Sequence, residues 1–143
     1  MAYESPLFKV GNLPANLEMS NEAVFQFSCV DVGVASGAGV QGQGVGGAAC
    51  KIALAGKSML GILQNNPSIN DAAEITTHGI SKALYGGPVA VGDILMTAAG
   101  AGTLAGATVL IKATATNVGV AKALESGVVG QIGTVFLQNH GIQ

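Results

Sequence analysis

The side chains that could perform acid–base or nucleophilic chemistry are few and widely spaced in this chain. His78 and His140 are its two histidines. A hydrolytic triad needs a nucleophile beside a histidine base that a carboxylate orients. The candidate nucleophiles and carboxylates are Ser81, Cys29, Cys50, Asp31, Asp71 and Asp93. No GxSxG elbow or comparable strained turn presents any of them, so the sequence does not predict an enzyme.

Metal and cofactor motifs are equally weak. The two cysteines and two histidines lack zinc-ligand spacing, and the eight acidic residues are scattered singly rather than grouped in a calcium loop. Residues 37–42 (GAGVQG) match the dinucleotide pattern GxGxxG, but no acid follows until Asp71, whereas the ribose contact needs one about 20 positions on. Residues 56–58 (GKS) resemble the end of a P-loop, yet Lys51 stands where the motif needs glycine. A surface turn is the better interpretation, and we expect neither metal nor cofactor.

Composition indicates a chain that packs against other proteins. The 143 residues are about one domain long. Charged residues make up 10% of the chain, against about 25% in typical soluble domains. Arg and Trp are absent, and 22 residues are Gly. A surface with so little charge favours burial by further subunits. The alternative is a β protein of small residues that happens to be uncharged.

Several classes of partner are disfavoured. The net charge of −2 and six dispersed lysines provide no cationic patch for nucleic acid. No apolar run approaches the roughly 18 residues of a membrane span, and residues 1–10 (MAYESPLFKV) lack the apolar core of a signal peptide. Cys29 and Cys50 lie in apolar surroundings and are predicted to be buried free thiols. We expect a protein made in a reducing cytoplasm.

Short apolar alternations separated by Gly-based turns predict an all-β fold, a barrel or a sandwich. We predict a small barrel-like β domain over residues 21–143, preceded by an extended N-terminal arm over residues 1–20. Residues 33–47 form a Gly-rich loop by composition. At most one or two short helices are expected, with local helix propensity over residues 121–126. Predicted strand segments are residues 23–34, 48–55, 60–63, 74–84, 89–96 and 108–116, with turns at residues 85–88 and at Gly92-Asp93.

One pattern occurs twice. Residues 58–75 (SMLGILQNNPSINDAAEI) and 117–137 (NVGVAKALESGVVGQIGTVFL) each contain a short apolar strand with Gly, a turn-forming stretch and a second apolar alternation. Such a unit builds antiparallel sheet and leaves little room for catalytic groups. The two copies predict corresponding turns of one β scaffold, with an internal duplication as a hypothesis.

The order of several short segments resembles the capsid decoration, or cement, proteins of tailed bacteriophages. The resemblance covers residues 48–137, and its shared order carries more weight than any single element. The segments are residues 59–63 (MLGIL), 78–82 (HGISK), 91–95 (VGDIL), 118–121 (VGVA), Gly130 and 135–137 (VFL).

The resemblance implies a β-barrel or β-tulip protein that binds the outside of the expanded phage head. It implies a homotrimer that contacts the major capsid protein and reinforces the capsid lattice, located in the virion and made in the host cytoplasm. Such proteins have no catalytic residues to transfer. An extended arm can add a strand to a neighbour's sheet edge. We assign this role to residues 3–17, and the alternative is a disordered tail. The proposed capsid-contact anchors are Tyr3, Leu7, Phe8, Leu13 and Leu17.

Two other functions stay open from the sequence. One is another β-rich phage assembly component, such as a tail, fibre or head-completion protein. The other is a small β-barrel that binds or transforms a small molecule. Native mass measurement separates these functions from a decoration protein: a stable trimer would favour the decoration protein, whereas a monomer with a pocket of ligand size would count against it.

Overall fold

The computed structural model describes residues 9–14, 26–34, 48–67 and 72–142, with side chains described outside 9–14, 34, 48–49 and 139–142. The all-β prediction is confirmed: this part of the chain contains ten strands and one 3₁₀ turn. The strands are β1 Lys9–Pro14, β2 Cys29–Val34, β3 Ala48–Ile52, β4 Gly61–Leu63, β5 Ala72–Thr76, β6 Gly79–Leu84, β7 Ile94–Ala99, β8 Thr108–Lys112, β9 Val118–Ala123 and β10 Ile132–Ile142, and the 3₁₀ turn is Gly102–Leu104. The predicted Gly-rich loop lies mostly outside the described residues.

The strands form two five-stranded antiparallel sheets with the same internal order. The first sheet has the order β1-β5-β4-β2-β3 and the second β6-β10-β9-β7-β8. Adding five to each strand number of the first sheet gives the second. The two sequence patterns fall on matching hairpins, β4 with β5 and β9 with β10. The repeated order supports the duplication hypothesis.

The predicted barrel form is corrected to two separate open sheets. Neither sheet, over its described strands, is closed by a ladder between its outer strands. In the second sheet a single parallel bridge between Tyr85 and Leu110 links the end of β6 to β8. Short strands that cross near their ends can make such a bridge without the continuous stagger that barrel closure requires.

Two sequence predictions of local structure are wrong for tertiary reasons. Residues 74–84 form two strands in different sheets rather than one continuous strand. β5 ends at Thr76, and β6 begins at Gly79, which has a φ of 94°. Residues 121–126 are not helical: β9 ends at Ala123. Lys122 pairs with Ile94 on one side and with Phe136 on the other. Sheet pairing on both edges overrides the helix propensity of Ala, Lys and Leu.

Period-two alternation explains why the strands bury one face. In β6 the residues Gly79, Ser81 and Ala83 are buried, whereas Ile80 and Lys82 are exposed. The same alternation recurs in β5. Since side chains alternate across a strand, each sheet can cover a shared interior with its inner face.

One apolar cluster contains residues of both sheets, and they lie on strands that correspond in the repeated strand order. Cys29 pairs with Ile62 across β2 and β4, and Leu95 pairs with Ala121 across β7 and β9. All four are fully buried in this cluster. The two halves therefore share one interior, and neither is packed as an independent domain would be.

The segment between β3 and β4 is attached to the second sheet by hydrogen bonds. The buried Thr108 hydroxyl donates to the Ala53 carbonyl. The Gly56 amide donates to the Thr97 carbonyl at 2.8 Å, and the Thr97 hydroxyl lies 2.8 Å from the Lys57 carbonyl oxygen. Threonine hydroxyls of β7 and β8 thus provide donors for backbone carbonyls that folding removes from water.

We predict that Thr108→Val lowers the free energy of unfolding by about 1–3 kcal/mol, because the buried Ala53 carbonyl loses its hydroxyl donor while side-chain volume is preserved. Urea denaturation measures the change. Thr108→Ser keeps the donor and should lose less, and Thr103→Val at an exposed site should be nearly neutral. Equal stability of the valine and serine variants at this position would contradict the role of the hydrogen bond.

Candidate functional site

The residues with catalytic potential have structural contacts. The Ser81 hydroxyl donates to the Lys82 carbonyl at 3.0 Å and accepts from the Gln64 amide at 2.9 Å. His78 is exposed, and its ring packs edge-on against Phe136 with centroids 5.7 Å apart. His140 has no described side chain. The bond between Ser81 and Gln64, which directly follows β4, links β6 to the first sheet.

Asp93 closes the turn that the sequence predicted. Its carboxylate accepts from the Ala90 amide at 2.9 Å and lies 2.9 Å from the Lys112 ammonium. Gly92 has a φ of 88°, a conformation that glycine adopts readily. The Ala90 hydrogen bond, and then Lys112, lower the pKa of Asp93. The predicted turn role of Asp93 is confirmed.

Both cysteines are buried and free, as predicted. Cys29 lies in the shared core, and Cys50 lies in a smaller cluster within the first sheet. Burial raises the pKa of Cys29 far above its usual range. Burial, together with the Asp31 carboxylate, raises the pKa of Cys50 to about 12. Both thiols are therefore protonated at neutral pH and act as apolar packing groups.

Of the two glycine motifs, one lies within the described residues. Residues 37–42 lie outside the described residues. Residues 56–58 form a turn, as predicted: Gly56 has a φ of 72° and its amide is bonded to Thr97. Within the same described part of the chain, no trio of His, Cys, Asp and Glu side chains converges as metal ligands would. None of the helical residues described forms a segment long and apolar enough to cross a membrane.

Part of the predicted N-terminal arm belongs to the chain's own first sheet. Leu13 lies in β1, where it pairs with Ala73 of the edge-adjacent strand β5. The other proposed anchors, Tyr3, Leu7, Phe8 and Leu17, lie outside the described residues. Capsid contact by the arm stays a prediction.

A pocket of about 260 Å³ lies at the junction of the two halves. It is bounded by the segment before β4, the link between β5 and β6, and parts of β9 and β10. Polar and apolar groups both form its wall, and His78 and Gln138 are among the polar residues. Its lining residues are Ser58, Met59, Leu60, Thr77, His78, Val118, Val120, Leu137 and Gln138.

A group of exposed apolar residues, which we call the apolar tip, lies at one end of the second sheet. It comprises Val91, Leu124, Val128, Val129 and Ile132, which are 43–67% exposed. Val91 belongs to the loop before β7, and the other four lie at the connection between β9 and β10. Backbone hydrogen bonds from Gly92 to Ala123 and between Val89 and Gly127 hold the two loops side by side.

Tyr85 supports the apolar tip from beneath. Its side chain is fully buried, and its hydroxyl donates to the Glu125 carbonyl at 2.8 Å. A Cβ atom at Gly127 or Gly133 would lie 2.6 Å or 2.3 Å from the Tyr85 ring, so glycine is required at both positions. Burial, and then the Glu125 carboxylate, raise the pKa of Tyr85. The phenol therefore stays neutral and keeps its hydrogen bond.

The loop itself is held in one conformation by several further bonds. Gly130 donates to the Tyr85 carbonyl at 2.8 Å, and Tyr85 donates back to the Gln131 carbonyl at 2.9 Å. The Val128 amide donates to the Gln131 side chain at 3.0 Å. The sequence predicted a turn at residues 85–88 but not the apolar tip. The sequence feature that could have revealed the tip is GVVG at residues 127–130, which places two apolar residues in a turn where polar ones are usual.

We predict that Gly133→Ala lowers the free energy of unfolding by about 1–3 kcal/mol, because the added methyl group overlaps the Tyr85 ring. Thermal or urea unfolding gives the difference. Gly87→Ala is the matched control, since a Cβ there meets neighbours at ordinary contact distance, 3.5 Å. Similar losses in both variants would refute the requirement for space above Tyr85.

Comparison with solved structures finds a similar fold in a phage protein. The chain aligns with the head fiber gp8.5 N base in bacteriophage phi29 with a TM-score of 0.65, covering 94% of this chain and 98% of that one. The chain shares the fold of this head fiber base. Sequence identity is 12%, so the similarity extends to the fold and not to individual residues. No protein-family model matches the chain, and no curated protein matches it either.

Proposed function

We propose that this protein is a structural component of a tailed-bacteriophage head. In this role it is a decoration protein that binds the outside of the expanded capsid as a homotrimer and stabilises the lattice of the major capsid protein. The observation that carries the proposal is the fold shared over nearly the whole chain with a phage head fiber base. The segment order that resembles decoration proteins supports the same class independently.

The surface supports assembly more than small-molecule chemistry. The chain has few charges, and five large apolar side chains are exposed together at one end of the second sheet. Contiguous apolar surface on a folded protein is typical of an interaction site. The pocket, at about 260 Å³, is smaller than the roughly 300–1,000 Å³ of most ligand sites. Ser81, Asp93 and both cysteines are used in packing and turns, which supports a role without catalysis.

A second candidate is the base of a head fibre, since the phi29 protein with this fold is one. In that case the domain would anchor a projecting fibre to the head. Electron microscopy of the native virion distinguishes the two roles. A decoration protein adds density of about the size of this domain at regular lattice positions, whereas a fibre base continues into an extended projection.

The direct test is addition of purified, folded protein to expanded, undecorated heads of the matching phage. We expect saturable co-sedimentation with expanded heads and weaker binding to unexpanded ones, because expansion changes the lattice contacts presented outside. Heads with bound protein should resist heat or chelator disruption better than bare heads. Folded protein that fails to bind matching expanded heads would contradict the proposed function.

The proposed role of the N-terminal arm is tested separately, by deletion. Deletion of residues 1–8 removes Tyr3, Leu7 and Phe8 but leaves β1 intact, whereas deletion of residues 1–20 would also remove an edge strand from the first sheet. We expect the shorter deletion to weaken head binding at least tenfold, about 1.4 kcal/mol, with little change in melting temperature.

Quantitative co-sedimentation and thermal unfolding measure these two effects on the same samples. The matched control is Glu4→Gln with Ser5→Ala, which keeps the three proposed anchors. Equal binding by the deleted and full-length chains would show that residues 1–8 have no capsid role. A parallel fall in binding and melting temperature would assign residues 1–8 to folding instead.

A further inference from the structure

The outer face of the second sheet carries a line of side chains that runs across four strands. Ile80 of β6 lies directly opposite Phe136 of β10, and Phe136 lies opposite Lys122 of β9. Lys122 is in turn opposite Ile94 of β7. Residues that pair directly in an antiparallel ladder share one face of the sheet, and four strands at their usual spacing give a line about 14 Å long. We call these four residues the cross-strand row.

The cross-strand row is accessible to solvent, whereas the opposite face of the same strands is the core. On β10, Gly133, Val135 and Leu137 are buried, and the residues that alternate with them are partly or well exposed. Ile80 is 52% exposed, and Lys122 is also exposed. An antiparallel sheet with one solvated face normally places polar side chains there. The two isoleucines and one phenylalanine of the row therefore indicate a contact surface.

The cross-strand row is continuous with the apolar tip. Ile132, Thr134 and Phe136 alternate along the outer side of β10, and Ile132, which is 49% exposed, belongs to the tip. Four residues of strand separate Ile132 from Phe136, which is about 13 Å. The row and the tip together make one apolar surface on this sheet, and contiguous surface of this kind is typical of an interaction site.

This surface is positively charged. Lys82 pairs with Thr134 beside the row, and Lys122 lies within it. Neither lysine forms an ion pair with another residue in the part of the chain that the structure describes. Glu125 reaches the same face, where the amide and the hydroxyl of Thr134 both donate to its carboxylate. Two lysines and one glutamate leave a charge of +1 on this face, opposite in sign to the −2 of the whole chain.

The charge determines what kind of surface can cover the cross-strand row. Two copies of this chain packed face to face would bring lysines of one copy against those of the other, and like charges at an interface are unfavourable. A partner that presents apolar side chains flanked by carboxylates would bury Ile80 and Phe136 and would pair with Lys82 and Lys122. The surface therefore fits a different protein with an acidic and apolar patch.

We propose that the outer face of the second sheet docks on an acidic, apolar patch of the major capsid protein, with the cross-strand row at the centre of the contact. The inference rests on the proposed function and identifies the surface that performs it. Ile80 and Phe136 provide the apolar area that is removed from water. Lys122, between Phe136 and Ile94, provides an ionic contact that fixes the orientation of the domain on the head.

Co-sedimentation with expanded heads of the matching phage tests the docking face. Ile80→Asp places a charge in the row, and Lys122→Glu reverses one. We expect each change to weaken binding by at least about tenfold with little change in melting temperature, because both side chains are exposed. Leu54→Asp and Lys57→Glu are the matched controls, since they make equivalent changes at exposed loop positions. Both controls should bind heads as the unmodified protein does.

Two further measurements do not depend on these substitutions. Head binding should protect Lys82 and Lys122 of the unmodified protein from chemical acetylation, read by peptide mass spectrometry, and should leave Lys57 reactive. Lys122→Met keeps an apolar stem without the charge, so its binding should depend less on salt than that of the unmodified protein. Equal acetylation of Lys82 and Lys122 in free and head-bound protein would overturn the docking face.

The outcomes separate this inference from the proposed function. If unmodified protein binds heads and both Ile80→Asp and Lys122→Glu bind equally well, the proposed function stands and the docking face is wrong. If folded, unmodified protein does not bind matching heads, both fail. Binding lost in Ile80→Asp but kept in Lys122→Glu overturns the acidic partner. A change of oligomeric state in either variant, measured by native mass spectrometry, assigns the face to contact between copies and also overturns the proposal.

Discussion

The attachment of the segment between β3 and β4 to the second sheet is the constraint on which the fold depends. Each sheet has five described strands, nearly all of them of six residues or fewer, and the shared core needs side chains from both. Thr108 and Thr97 hold backbone groups of that segment against β7 and β8. Because those hydrogen bonds are partly or fully buried, their loss would leave carbonyl groups without donors and would open the shared interior to water.

Positions that correspond in the two halves differ in how freely their side chains can vary. Both halves supply residues such as Ile62 and Ala121 to one core, and these residues cannot vary freely. The connections of the two halves differ. The turn after β4 contains polar residues, Gln64 and Asn65, that bond the backbone of its own sheet, whereas the turn after β9 exposes Val128 and Val129. Duplicated scaffolds commonly keep the packed face alike, while exposed connections tolerate change.

Local chemistry made much of the fold predictable, and tertiary contacts explain the rest. The Gly92-Asp93 turn follows from glycine's access to positive φ and from the carboxylate's bond to Ala90. Burial of the free cysteines follows from their apolar surroundings. The end of β5 at Thr76 and the strand at Lys122 depend on which distant strands offer backbone partners, and the local sequence pattern does not identify those partners. The sequence did not predict the apolar tip, because the loop that carries Val129 is held by hydrogen bonds to Tyr85, which is far away in sequence.

The buried thiols bear on how long such a protein could last outside a cell. Oxidation of cysteine to a sulfenic acid or a mixed disulfide proceeds through the thiolate and needs access for the oxidant. Cys29 has neither a populated thiolate nor an exposed sulfur, and Cys50 is similarly protected. In air-equilibrated water the described part of this chain therefore has no disulfide to form and none to lose.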